Sequence, residues 1–343
     1  MLLAIWIASL ISSATGCVRF LSPLTVHGVG DLTAQVITQP PKLPVTPTTL
    51  PQDHPTRDTV AIIDVDGVLL DQNASGLGSR GENAVSLFRE RLDAIEHDGR
   101  VRAVVVRINS PGGSVTATDI MWRDLHAFRR RTTLPVVACL MDTGTGGAYY
   151  LATAADMIIA HPTTVTGAIG CILNVYNLED MMGQFNIVGV PIKAGKYIDV
   201  GSPIKTMDED SRRMLQQMAD EFHRRFKQVV VKSRSQVDAR LETTFDGRVF
   251  SASQALELGL IDEIGYLDHA VAHARRLAGC PQASVIFFRR PDDPAGSRYS
   301  VTPNIPLQDK ILPVNVPGLN RSRLPSFLYI WGVEPTAEPG SAP

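Results

Sequence analysis

The sequence predicts an α/β fold with mostly parallel strands. Three observations carry this. Short β-branched runs alternate with amphipathic helical stretches between residues 58 and 290. Two glycine-rich turns, "INSPGGSV" (108–115) and "GTGGAYY" (144–150), each leave a strand and open a helix, so both fall at the strand ends where open sheets place ligands. The chain has 343 residues, 44% of them hydrophobic and 20% charged, enough to bury a sizeable core.

The N-terminal stretch, residues 1–17, is uncharged and reads as a signal or anchor segment. It ends in "SATGC", similar to a bacterial lipobox. That pattern makes Cys17 the candidate for lipidation, although Ala14 stands where a leucine is usual and no basic residue starts the segment. An uncleaved anchor and an ordinary secretory signal are the competing readings, the stretch being barely long enough to span a bilayer. Each puts the remainder on the exported side or at a membrane. Residues 18–57 form an extended linker, with "QPPKLPVTPTTLPQDHPTR" supplying its prolines and threonines.

The body spans 58–290. "TVAIIDVDGVL" starts it, a strand with a turn at Asp66-Gly67. Residues 102–109, "RAVVVRIN", form a buried strand. Residues 117–130 place Ile120, Leu125 and Phe128 among charges, the pattern of an amphipathic helix. "PVVACLM" (135–141) is the next strand, "GAYYLATAA" the next helix and "MIIA" (157–160) the next strand. A long amphipathic helix fits 208–233. Residues 291–343 are a proline-rich tail whose apolar patch "FLYIW" (327–331) reads as a strap buried between subunits of a homo-oligomer.

The formal net charge is −2, which gives no global field for nucleic acid. The Arg129-Arg130-Arg131 cluster sits where cations complement a helix C-terminus. None of the cysteines (Cys17, Cys139, Cys171, Cys280) is spaced with another like a metal site, and no cofactor is implied.

The amides of Gly112 and Gly113, near a helix N-terminus, suit an anion or oxyanion. Ser110 and Ser114 read as turn or cap hydroxyls. His126 and His161 lack triad partners. Tyr149 and Tyr150 read as packing residues. Asp64, Asp66 and Asp71 resemble phosphotransferase aspartates, but Asp66 opens an ordinary Asp-Gly turn and no other part of such a site is present.

Four stretches resemble the signal peptide peptidase A family of membrane-bound serine peptidases: "RINSPGGSVTAT", "GGAYYLATAADMIIAHPTTVTGAIG", "IKAGKYIDVGSPIKTMDEDSRRMLQQM" and "GRVFSASQALELGLIDEIG". In the last, Ser251 is placed to cap a helix and Gly259 to end it. The resemblance implies a crotonase/Clp-protease-like spiral of strand–helix units. It also implies an oxyanion or peptide-binding turn at Gly112, Gly113 and Gly147, and a Ser/Lys dyad. Aligned on Tyr149 and Tyr150, the nucleophile position is Gly146. Aligned on Lys193-Ala194-Gly195, the base position is Ile198. Both catalytic side chains are replaced. The nearest substitutes are Thr145, one residue and about 100° away on a helix start, and Lys196, two residues from the base position.

Two functions follow as expectations. One is a degenerate peptidase homologue that keeps a groove for peptides or signal-peptide remnants, or serves as a scaffold. The other is an active hydrolase using Thr145 and Lys196 or a partner's groups. Acyl-thioester chemistry on the same fold is a third class, for which no particular acid is implicated.

Overall fold

The computed structural model describes residues 44–49, 56–72, 83–290, 297, 299 and 327–331. Cys17 and most of the tail lie outside them. The strands in chain order are β1 (Thr46–Thr49), β2 (Thr59–Asp66), β3 (Val101–Ser110), β4 (Gly112–Ser114), β5 (Val136–Thr145), β6 (Met157–Ala160), β7 (Val165–Gly167), β8 (Val249–Ser251), β9 (Glu263–Ile264), β10 (Ser284–Arg289) and β11 (Leu328–Ile330). The helices are α1 (Ala84–His97), α2 (Val115–Thr132), α3 (Gly147–Ala152), α4 (Glu179–Gln184), α5 (Glu209–Ser233), α6 (Ala252–Glu257) and α7 (Leu267–Leu277).

The main sheet runs β1-β10-β2-β3-β5-β6-β9. Every neighbouring pair in it is parallel except β1 with β10. Central strands of a parallel sheet are covered on both faces, so their side chains alternate between two cores. Ala61, Ile63 and Val65 of β2, with Val104, Val106 and Ile108 of β3, pack in one cluster together with Phe88, Leu125, Phe128 and Phe226. Val60 and Ile62, with Ala103 and Val105, pack in the other against Leu267, Val271 and Ala274 of α7. The predicted α/β class is therefore observed, and the crossover helices lie on both faces of the sheet.

Local signals set most boundaries. Asp208 caps α5 by accepting from Ser211 N at 2.7 Å. Ser251 and Gln254 form a reciprocal capping box on α6. Gly259, at φ 71°, ends that block in the left-handed region. The arginine cluster is used within the chain: Arg129 donates to Ala154 O at 2.6 Å and Arg131 pairs with Glu96 at 2.7 Å.

The structure differs from expectation in four places. Residues 46–49, expected as linker, form an edge strand on β10, where Pro47 is tolerated. Strand β10 itself, "SVIFFR", was not expected. Strand β5 continues four residues past Met141 because β7 pairs with Thr143, Gly144 and Thr145. Finally, Phe327–Trp331, expected as a strap between subunits, makes contacts within its own chain, while Trp331 stays exposed. Its strand β11 pairs antiparallel with β4 of the same chain, and Tyr329 is fully buried.

Candidate functional site

The two glycine turns meet at the C-terminal ends of β3 and β5. The first runs from Ser110 through Pro111 into β4. Gly112 adopts φ 104°, and its N–H donates to Ser110 Oγ at 3.1 Å. Ser114 caps α2, accepting from Ala117 N at 3.2 Å. Both serines therefore serve as turn and cap hydroxyls. Gly113 lies against the backbone of Leu69, with which it forms a parallel bridge.

In the second turn, Thr145 ends β5, Gly146 is the junction and Gly147 starts α3. Gly146 holds φ 52° and ψ −123°, a conformation that costs any residue with a Cβ. Its N–H donates to Gly167 O at 2.9 Å, and its carbonyl accepts from Tyr150 N at 2.9 Å to open the helix. A sharp, strained strand-to-helix turn is the geometry that presents a nucleophile in hydrolases with an exposed serine. Here it presents none. A Cβ on Gly112 would sit 2.7 Å from Gly147 N, so the two turns touch.

A peptide backbone lies over this junction, and it belongs to the chain itself. A Cβ on Gly146 would fall 2.5 Å from the Tyr329 carbonyl oxygen and 2.7 Å from its carbon. The Tyr329–Ile330 peptide thus fills space that any side chain at 146 would need.

The substitute groups are not joined within one chain. Thr145 is fully buried and its hydroxyl makes no hydrogen bond. Lys196 is 67% exposed and pairs with Asp210 at 3.6 Å. The Tyr197 side chain, then the Asp210 carboxylate, raises its pKa, which holds it protonated and unsuited to general-base work. Ile198 is 73% exposed. The neighbouring Lys193 and Lys205 both bind Asp199, at 2.7 and 2.8 Å.

Tyr149 and Tyr150 anchor α3. Tyr149 OH donates to Leu260 O at 2.8 Å, and Tyr150 OH donates to Asp119 at 2.6 Å. Burial, then the Asp119 hydrogen bond, pushes the Tyr150 phenol far up, so it stays neutral. Two site residues were not found by sequence reasoning. Tyr329 sat in an apolar patch with no positional signal. Cys171 lies at the opposite groove edge beside Leu328, where burial pushes its thiol up to about 11, so it offers no thiolate at neutral pH. Among the described residues no cluster is suited to hold a metal ion.

Comparison with known proteins adds sequence kinship to this geometry. A model of "Peptidase family S49" matches residues 128–280, from α2 past α7. A putative signal peptide peptidase SppA of Enterococcus faecium is 28% identical over 227 residues, 66% of each chain. A putative protease of Synechocystis is 31% identical over 224 residues, 65% of this chain and 76% of that one. The chloroplastic serine protease SPPA of Arabidopsis thaliana is 29% identical over 66% of this chain, which spans only 33% of that longer protein. Among solved structures, a membrane-bound stomatin-specific protease superposes with a TM-score of 0.42 at 13% identity, over 64% of this chain and 85% of that one.

Proposed function

The chain belongs to peptidase family S49, the signal peptide peptidase A family, and from that premise we propose that it is a non-hydrolysing member whose groove holds peptides. The observation that carries this reading is Gly146. It takes up the strained junction at the head of α3, offers no side chain, and has a peptide backbone laid across it. Acyl transfer needs a nucleophile there and a base within hydrogen-bond reach. Glycine has no nucleophile, and Ile198 takes no proton. The Gly112 amide is donated to Ser110 Oγ and Gly113 is paired with the Tyr329 strand, so this edge supports the holding of extended backbone rather than stabilisation of an oxyanion.

The competing reading, hydrolysis by Thr145 with Lys196, needs a buried hydroxyl and an exposed, protonated ammonium to meet. The test is turnover of a fluorogenic peptide by full-length protein, wild type against Thr145→Ala. No turnover is expected from either. Robust hydrolysis by wild type, abolished in Thr145→Ala, would establish a threonine nucleophile instead.

Membrane association through the N-terminus is part of the proposal. No helix among the described residues is long and apolar enough to cross a membrane, and the lipidation candidate Cys17 lies outside them. Cys17→Ala is expected to abolish incorporation of radiolabelled palmitate and to leave a longer precursor. Equal labelling of mutant and wild type contradicts this.

Assembly with further copies is the remaining element. Tyr329 of the tail patch is used within the chain, and a second apolar surface supports assembly as well. Phe185, Val188, Val190, Ile192 and Ile198 are all highly exposed in one stretch. Such a run of exposed apolar residues marks an interaction surface. Full-length protein is expected to be multimeric by light scattering at micromolar concentration, and Val188→Asp/Ile192→Asp to be monomeric. A monomeric wild type removes the assembly element.

A further inference from the structure

The groove does not use the two aspartates at the end of β2. Alternation along a strand puts Asp64 and Asp66 on the same face as Val60 and Ile62, and Arg107 and Asn109 on the same face as Ala103 and Val105. That is the α7 face of the sheet, whereas Tyr150, Phe226 and Tyr329 pack on the other. The carboxyl ends of parallel strands are where such sheets place ligands. There Asp64, Asp66, Arg107, Asn109 and Met141 line a cavity of about 90 Å³. Tyr299 lines it too and, being 55% exposed, stands on its outer side.

The charges in this cavity do not balance. Arg107 and Asp64 are both buried, and Arg107 binds Asp64 through two nitrogens, at 2.8 and 2.7 Å. One guanidinium is thus matched by one carboxylate. Asp66 receives an amide instead: Asn109 Nδ2 donates to its Oδ1 at 3.2 Å. Asn109 is itself fixed, because its Oδ1 accepts from Thr143 N at 3.2 Å. Among the described residues no cation forms an ion pair with Asp66. Burial pushes the Asp66 carboxyl up, the Asn109 bond opposes that, and the neighbouring Asp64 charge adds to it. A half-buried carboxylate beside a second one is costly, and a cation in the cavity offsets that cost.

The walls set the kind of cation. A hard metal ion is held by several oxygens, and Asp64 is already taken by Arg107. An alkylammonium needs one carboxylate, and it is suited by an apolar wall such as Met141 and an aromatic neighbour such as Tyr299. A single water takes about 10–15 Å³ of such space, so the cavity has room for about five or six non-hydrogen atoms. We infer that the cavity between Asp66, Asn109, Met141 and Tyr299 is a binding site for a small primary alkylammonium, with Asp66 as its counter-ion. The site is separate from the groove and stands whether or not the groove holds peptides.

The test titrates full-length protein, carrying isotope-labelled methionine methyls, with n-butylammonium chloride. The Met141 methyl is followed by NMR, with Met141→Leu to assign its signal. A saturable shift with a dissociation constant in the millimolar range or below is expected. n-Butanol, a neutral molecule of the same size, should bind at least about tenfold more weakly. Asp66→Asn keeps the shape and removes the charge, and should weaken butylammonium binding at least about tenfold. The inference is overturned by the absence of a saturable shift, by equal shifts from butanol or from sodium chloride at matched ionic strength, or by equal affinity of Asp66→Asn. The ligand comparisons use wild type alone, so they decide the matter even if Asp66→Asn does not fold. Nα-acetyl-lysine amide then identifies the source. Binding like that of butylammonium means that the site takes a lysine side chain, and no binding means that it takes a free amine; both outcomes support the ammonium site.

Discussion

Gly146→Ser/Ile198→Lys is expected to hydrolyse peptides at least about 100-fold faster than wild type or either single variant, because nucleophile and base act as a unit and contribute little alone. Gly146→Ser by itself should stay within about threefold of wild type, since a hydroxyl with no base remains a weak nucleophile. Two structural facts shape the outcome. A serine Cβ would fall 2.5 Å from the Tyr329 carbonyl oxygen, so the substitution must push the strap out of the groove and thereby opens it. Position 198 is 73% exposed in the single chain, and a lysine there loses its proton readily only when another surface desolvates it. The gained activity should therefore follow the assembled fraction and fall on dilution. Fluorogenic peptide turnover across a protein concentration series checks both parts. A double variant as inert as wild type at every concentration would mean that these two positions are not the ones the family's dyad occupies.

Asp262→Ala is expected to destabilise the fold by about 1–3 kcal/mol, because the buried Arg234 guanidinium and the Ile158 N–H lose their shared acceptor. Asp262 receives two parallel bonds from Arg234, both 2.8 Å, and also accepts from Ile158 N at 2.7 Å. Arg234 is buried at the end of α5, where it also donates to Gly259 O. The pair thus ties α5 to β6 and to the loop whose Leu260 carbonyl holds Tyr149. Replacing both members, as Arg234→Met/Asp262→Leu, should recover most of the loss, because no uncompensated charge is then left inside. Urea denaturation of the three variants measures this. An Asp262→Ala midpoint equal to wild type would show that the pair contributes nothing.

Much of this was legible in the chain because the signals are local. Val60 to Val65 and Val104 to Ile108 read as strands from their β-branched runs. Asp208 and Ser251 marked helix starts by capping, and the paired tyrosines set Gly146 at a helix head. The course of the tail was not legible. "FLYIW" is apolar, but nothing in it encodes a partner more than two hundred residues away. The last four residues of β5 were missed for a similar reason. Asp142 and Gly144 interrupt the apolar run, and pairing with the distant β7, together with the Asn109 and Ser110 end of β3, keeps the segment extended. Thr145 shows the same limit at the site. Its type suggested a spare nucleophile, whereas its burial and its lack of any hydrogen-bond partner emerge only from the packing.

The central claim is that the family's groove persists here without its catalytic unit. Intact-mass measurement of full-length wild-type protein after exposure to a serine-reactive fluorophosphonate tests it most directly, with Gly146→Ser/Ile198→Lys as the positive comparison. The account predicts an unmodified mass for wild type and a single phosphonyl adduct, at residue 146, for the double variant. A stoichiometric adduct on the wild-type protein, mapped to Thr145 or to another groove hydroxyl, would contradict it.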